Sequence, residues 1–192
     1  MCSYVRCATT LLLICSSSLL AACNPTFNWR EVSLQDDYAK ILMPGKPDAL
    51  SRSIVLDLLP VKMTMQGVKI NETTFTVASA VLPDQTPATA ERAVAAMRAQ
   101  MIKNITGKET SVMPIKVRIV DDGGKEIRTV DAQRIVASGS AQAKDLQMSA
   151  SFVAYKGVAW QWLVMSQGAK PEGKFNEATE EFLSSFRLLE KK

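Results

Sequence analysis

The 192-residue sequence contains no histidine. That absence excludes Ser-His-Asp and Cys-His catalysis, imidazole metal ligands and a histidine pH switch. Cysteine is scarce: Cys2, Cys7 and Cys15 lie near the start, and Cys23 is the last of the four. Residues 24–192 therefore cannot close a disulfide among themselves. No run of five or six like charges occurs among the 23 basic and 19 acidic side chains, and no basic-aromatic stripe favours nucleic acid. Internal repeats, low-complexity blocks and Pro/Gly/Ser linkers are also missing, so the length reads as one domain. A composition of 47% hydrophobic and 22% charged residues is that of a globular chain.

The chain begins with a pattern of targeting. Arg6 is the only charge before an apolar stretch from Cys7 to Leu20, softened by Ser16, Ser17 and Ser18. A positive n-region, a short h-region and small residues make a secretory signal. A membrane-spanning helix needs about 20 predominantly apolar residues, which this run does not supply.

The signal ends in Leu20-Ala21-Ala22-Cys23, which resembles the lipobox of bacterial lipoproteins: an aliphatic residue, two small ones and cysteine. The resemblance implies cleavage between Ala22 and Cys23, a diacylglycerol on the Cys23 thiol and acylation of the new amine. The alternative is a plain secreted protein cut at an Ala-x-Ala-like site. One acyl chain binds a bilayer only marginally, whereas two or more hold firmly, so a triacylated Cys23 is a permanent anchor. Asn24 stands where aspartate commonly marks inner-membrane retention in Gram-negative lipoproteins. By that resemblance the expected place is the outer membrane, facing the periplasm. The expected organisation is a signal peptide over 1–22, a lipidated tether over 23–28 and a globular domain over 29–192. Cleavage removes Arg6 and no acidic residue, leaving a small positive balance.

Within the domain, Tyr38–Met43 reads as a strand stopped by Pro44-Gly45-Lys46-Pro47. Ser51–Leu58 reads as another, ended by Pro60, and Val61, Met63 and Met65 alternate with polar residues as a half-buried strand. Asn71-Glu72 turns the chain into a strand over Thr74–Leu82. Thr86 caps a helix with Pro87 in its first turn, Val94, Met97, Met101 and Ile105 on one stripe, and Gly107 as its stop. Ile115, Val117 and Ile119 form a strand before the turn Asp121-Asp122-Gly123-Gly124. Strands follow over Thr129–Ser138, Leu146–Tyr155 and Val158–Ser166, the last two joined by Lys156-Gly157. Asn176–Leu189 reads as a closing helix with Phe175, Ala178, Phe182 and Phe186 on one side.

This element order resembles the PsbP-like sandwich, from Tyr38 through the Pro44–Pro47 break to Phe182-Leu183-Ser184-Ser185-Phe186. The expected fold class is therefore α+β, a single domain in which an antiparallel sheet is flanked by helices on both faces. The chain also resembles small proteobacterial lipoproteins, which brings no activity with it. Members of PsbP-like families are mostly accessory or binding proteins, and no residue-level motif transfers a site.

Few constellations carry chemistry. Trp160 and Trp162 share one strand face, as an aromatic platform for a ligand or as core beneath the closing helix; Trp29 stands near the tether, where an interface role fits. Met63-Thr64-Met65 places two thioethers on one face, suited to Cu(I), although methionine is also ordinary core filler. Asp36-Asp37 and Asp121-Asp122 are adjacent carboxylates, which strands point to opposite faces. Tyr38, Tyr155 and Lys156 are conceivable participants in an enzyme, without a spacing that joins them. The expectation is an anchored, non-enzymatic binding or accessory module for an envelope protein. It has no catalytic residue, metal, cofactor or nucleic-acid partner. The alternative is a carrier for a small apolar ligand such as a lipid, with the Thr86–Ile105 helix as its movable wall.

Overall fold

The computed structural model describes residues 26–35, 37–168 and 172–190. The signal peptide, Ala22 and Cys23 lie outside the described residues, as does Asp36. Among the described residues ten strands and two helices follow in order: β1 Arg30–Leu34, β2 Ala39–Met43, β3 Asp48–Leu56, β4 Leu59–Ile70, β5 Thr73–Val81, α1 Pro87–Asn104, β6 Lys108–Val120, β7 Glu126–Ala141, β8 Lys144–Tyr155, β9 Val158–Gln167, α2 Lys174–Ser185 and β10 Arg187–Leu189. They form one sheet in the order β1-β2-β10-β6-β7-β8-β9-β5-β4-β3. Its pairs are antiparallel except β10 with β6, which is parallel.

The connection from β2 to β3 forces this sheet to curl. Only Pro44–Pro47 lie between them, and five peptide links reach at most about 18 Å. In the sheet those strands stand eight places apart, about 38 Å if flat at roughly 4.8 Å per strand. Gln35, in the β1–β2 turn, accepts a hydrogen bond from Ser79 of β5 at 3.1 Å, which ties the two halves across the curl. The result is a half-barrel. α2 packs against both β2 and β9, strands five places apart, and so lies within the curl.

This corrects the expected α+β sandwich. The described residues are mostly β, a curled ten-stranded sheet with two helices, and not a sheet flanked by helical layers. The inner core joins Ile41, Met43, Phe75, Trp160, Trp162, Phe182, Phe186 and Leu188. The outer core sets Ala93 and Met97 of α1 against Ile135, Ala137, Met148 and Ala150. The physical reason is burial on both faces: consecutive residues of β8 and β9 are buried, so they read as sheet core whatever covers them.

Several boundaries also differ. β1 has no counterpart in the sequence reading, and β6 runs well beyond Ile115–Ile119. The closing helix stops at Ser185; Phe186 turns extended, and Arg187–Leu189 slot between β2 and β6, where Leu188 is wholly buried. Pro60 does not end a strand. It lies in β4 opposite Val55, beyond Lys62, the first β4 residue paired with β5, so the missing N–H has no ladder partner to lose.

The turn before it is Asp57-Leu58, both residues at positive φ (46° and 65°). Arg92 of α1 holds Asp57 through an Nε–Oδ2 contact of 2.9 Å, while Leu58 is 81% exposed. A γ-branched side chain in the left-handed region is strained and here gains no burial. Leu58→Gly is expected to stabilise the domain by about 0.5–1 kcal/mol, read as a raised urea midpoint with an unchanged slope.

Candidate functional site

A cleft of about 280 Å³ opens between α2 and the inner face of β6–β9. Antiparallel register builds its floor. Arg134 of β7 stands opposite Met113 of β6 and Ser151 of β8, Val136 opposite Ser149, Ser149 opposite Val164, and Gln147 opposite Ser166. Directly opposed residues share a face, so these side chains form adjoining rows beneath the helix. Asn176, Thr179 and Glu180 supply the other wall.

The polar groups here are unevenly satisfied. Arg134 donates from Nε to Ser151 Oγ at 3.0 Å and from Nη2 to the Leu183 carbonyl at 3.2 Å. Trp162 Nε1 donates to the same carbonyl at 2.9 Å, so two sheet donors satisfy a carbonyl in the last turn of α2. Arg134 Nη1 lies 3.7 Å from Glu180, whose side chain is 66% exposed. Burial pulls the guanidinium's pKa down and Glu180 pushes it back up; a guanidinium remains a cation throughout the accessible range. Thr179 donates to the Phe175 carbonyl at 2.8 Å. Ser166 is 4% exposed, and its hydroxyl has no hydrogen-bond partner among the described residues. A desolvated, unpaired hydroxyl is unfavourable and needs a reason.

The N-terminal segment docks beside this cleft. Lys174 at the start of α2 donates to Thr26 Oγ1 at 2.9 Å, and Phe27 meets Phe175 edge-on at 5.1 Å between centroids. Phe27 also contacts Trp29 at 5.9 Å, and the half-buried Trp29 packs on the inner core. Of the expected tether, Thr26–Asn28 are thus held against the domain.

The other residues singled out are placed as follows. Trp160 and Trp162 are each 1% exposed and present no platform; Phe186 stacks on Trp162 at 4.2 Å. Met63 is half-buried and Met65 is 38% exposed, while Met43 belongs to the opposite core from Met63, Met97, Met101, Met148 and Met165. Among the described residues no group of three or more His, Cys, Asp or Glu converges. Asp121 Oδ1 accepts the backbone N–H groups of Gly123 and Lys125, so that carboxylate organises its own turn. Tyr155 and Lys156 do meet, with Glu190 and Arg128. The Tyr155 hydroxyl donates to Glu190, and burial with that bond raises its pKa, the opposite of what a phenolate base or nucleophile requires. The depressions along α1 are shallower and more open than the cleft beside α2, which is not the helix expected to move.

Arg134, Ser166 and Glu180 were missed by sequence reasoning. A signal existed: Val130, Ala132, Arg134 and Val136 occupy one face of β7, and a lone cation interrupts an apolar row. Ser166 likewise ends the row Trp160, Trp162, Val164.

No family model and no curated protein matches the chain. Among solved structures it is similar to cyanobacterial PsbP (CyanoP) from Synechocystis sp. PCC 6803, with a TM-score of 0.51 and 12% identity over 88% of this chain and 99% of that one. The fold is PsbP-like. It also has a weaker likeness to the immunity protein TplEi of T6SS from Pseudomonas aeruginosa, at a TM-score of 0.35 and 12% identity over 68% of this chain and 45% of that one. The PsbP-like likeness is one of fold and assigns no ligand or activity.

Proposed function

We propose that the protein is a lipid-anchored envelope lipoprotein, held at the outer membrane facing the periplasm, that works as a non-enzymatic binding module. The observation that carries the binding role is the cleft beneath α2, where a half-buried cation and a hydroxyl without a hydrogen-bond partner among the described residues share a lining of mixed polar and apolar side chains. The lipobox ending in Cys23 carries the anchor. Three peptide links separate Cys23 from Thr26, at most about 11 Å of chain, and Thr26 is held by Lys174. An anchored sulfur therefore keeps the start of α2, and the cleft beside it, close to the bilayer. The non-enzymatic reading is supported by a Tyr155 hydroxyl locked to Glu190 instead of freed for chemistry.

The anchor is tested by metabolic labelling with palmitate and intact mass of membrane-extracted protein. Wild-type chain is expected to carry label and to begin at Cys23 with the mass of a triacylated residue. Cys23→Ser is expected to lose the label completely and to retain its leader. Equal labelling or identical processing of the variant would overturn the anchored reading.

A further inference from the structure

We infer that the α2 cleft receives the C-terminal end of a short peptide, its free carboxylate on Arg134 and its backbone amides on Ser166 and its neighbours. This deepens the binding-module reading and rests on it. Three observations point there.

The first is the separation of the polar groups. Arg134 and Ser166 lie two strands and four residues apart in register, about 10 Å across and about 13 Å along the sheet. One small anion cannot touch both, so the site is elongated. The diagonal is about 16 Å, which three extended residues of peptide, about 10 Å, span with a hydrogen bond of about 3 Å at each end.

The second is the composition of the lining. Met113, Val136 and Val164 alternate with Gln147, Ser149, Ser166 and Asn176. A hydrocarbon tail would cover those polar groups and leave them unpaired, at a loss of affinity. A peptide presents amides and small side chains in the same alternating fashion. Ser166 lines the cleft, and its buried hydroxyl has no hydrogen-bond partner among the described residues.

The third is the unspent capacity of Arg134. Nε and Nη2 hold Ser151 and Leu183, which fixes the guanidinium plane, while Nη1 has only the loose 3.7 Å approach of Glu180. A carboxylate can replace that exposed side chain on the remaining edge with charge-assisted bonds. One guanidinium suits a monoanion, and a cleft of about 280 Å³ lies at the small end of ligand sites.

The test uses the acylated full chain in phosphatidylcholine nanodiscs, titrated with ¹³C-labelled trialanine and read by ligand NMR. Trialanine is expected to bind, and trialanine amide at least tenfold more weakly. Ser166→Ala is expected to weaken binding three- to tenfold without lowering the melting temperature, since the hydroxyl it removes has no hydrogen-bond partner among the described residues. Arg134→Gln is expected to lose at least tenfold. Because that variant also loosens Leu183, Glu180→Gln provides an independent arm: removing the competing carboxylate is expected to tighten binding several-fold. Equal binding of acid and amide, octanoate binding more tightly than trialanine, an unchanged affinity in Ser166→Ala, or no trialanine binding at 10 mM (roughly 2.7 kcal/mol in binding free energy) would each overturn the assignment. Palmitate labelling is independent of every arm, so a failed peptide titration with labelling intact sinks the ligand and leaves the anchor standing.

Discussion

Gly139→Ala is expected to cost about 3 kcal/mol, lowering the melting temperature by roughly 6–12 °C. A Cβ at position 139 would lie 2.2 Å from the Ile105 carbonyl oxygen and 2.7 Å from Gly107 Cα, both backbone atoms that no rotamer change can move. The crossing exists because α1 ends directly on β7: Ile105 caps the helix, and Ser140 donates its N–H to the Ile105 carbonyl at 2.6 Å. Gly107 stands on the other side of the same contact, where a Cβ would meet the Ser138 carbonyl at 2.6 Å. Alanine at either position must push the end of α1 off the sheet. Once it is displaced, the second alanine meets less resistance, so the double variant is expected to lose less than the sum of the singles. Thermal and urea unfolding of the three variants measures this. A Gly139→Ala protein within 0.5 kcal/mol of wild type would show that the two backbones are not in contact.

The same contact shows why parts of the fold were readable and others not. Gly107 was legible as the end of α1, but for a different physical reason. The left-handed turn is made by Thr106 at φ 44°, and the glycine is needed for closeness. Long alternating segments, the Thr86–Pro87 helix start and the Asp121–Gly124 turn declared themselves, because periodicity and turn chemistry are local. Hairpins at Asp57-Leu58 and Gln142-Ala143 did not, since four residues without glycine or asparagine adopt positive φ there. Their strand ends are set by register with neighbours far along the chain. β10 is three residues long, and only the gap between β2 and β6 makes it a strand. Curling is similarly non-local: it follows from the short Pro44–Pro47 link once the strand order is known, and strand order is not a property of any window of sequence.

For the candidate site, residue identity carried less than register. Trp160 and Trp162 drew notice as large aromatics, yet both are core. Arg134 and Ser166 are unremarkable singly and matter because β7, β8 and β9 bring them under one helix. What the sequence did offer was the exception to a pattern, a cation in an apolar row, and such exceptions are where function or strain is expected.

Phe182→Ala is expected to be more disruptive still, costing about 3–5 kcal/mol. Phe182 is wholly buried and meets Phe75 of β5 edge-on at 5.5 Å, while one turn later Phe186 stacks on Trp162 of β9. α2 buries Ala178, Thr179, Phe182, Leu183 and Ser185, whereas α1 fully buries only Ala93 and Met97. The inner helix therefore joins the two halves of the curled sheet, and the outer one mainly shields it. Val94→Ala on α1, where the side chain is only half-buried, is expected to cost about 1 kcal/mol or less. The consequence reaches the cleft, because α2 is its wall: Phe182→Ala should loosen Asn176, Thr179 and Glu180 together and raise their amide exchange, while the β6–β7 hairpin keeps its protection. Hydrogen exchange that rises equally over α1 and α2 would mean the helices unfold as one unit with the sheet, and the assignment of α2 as the separable wall of a binding site would have to be given up.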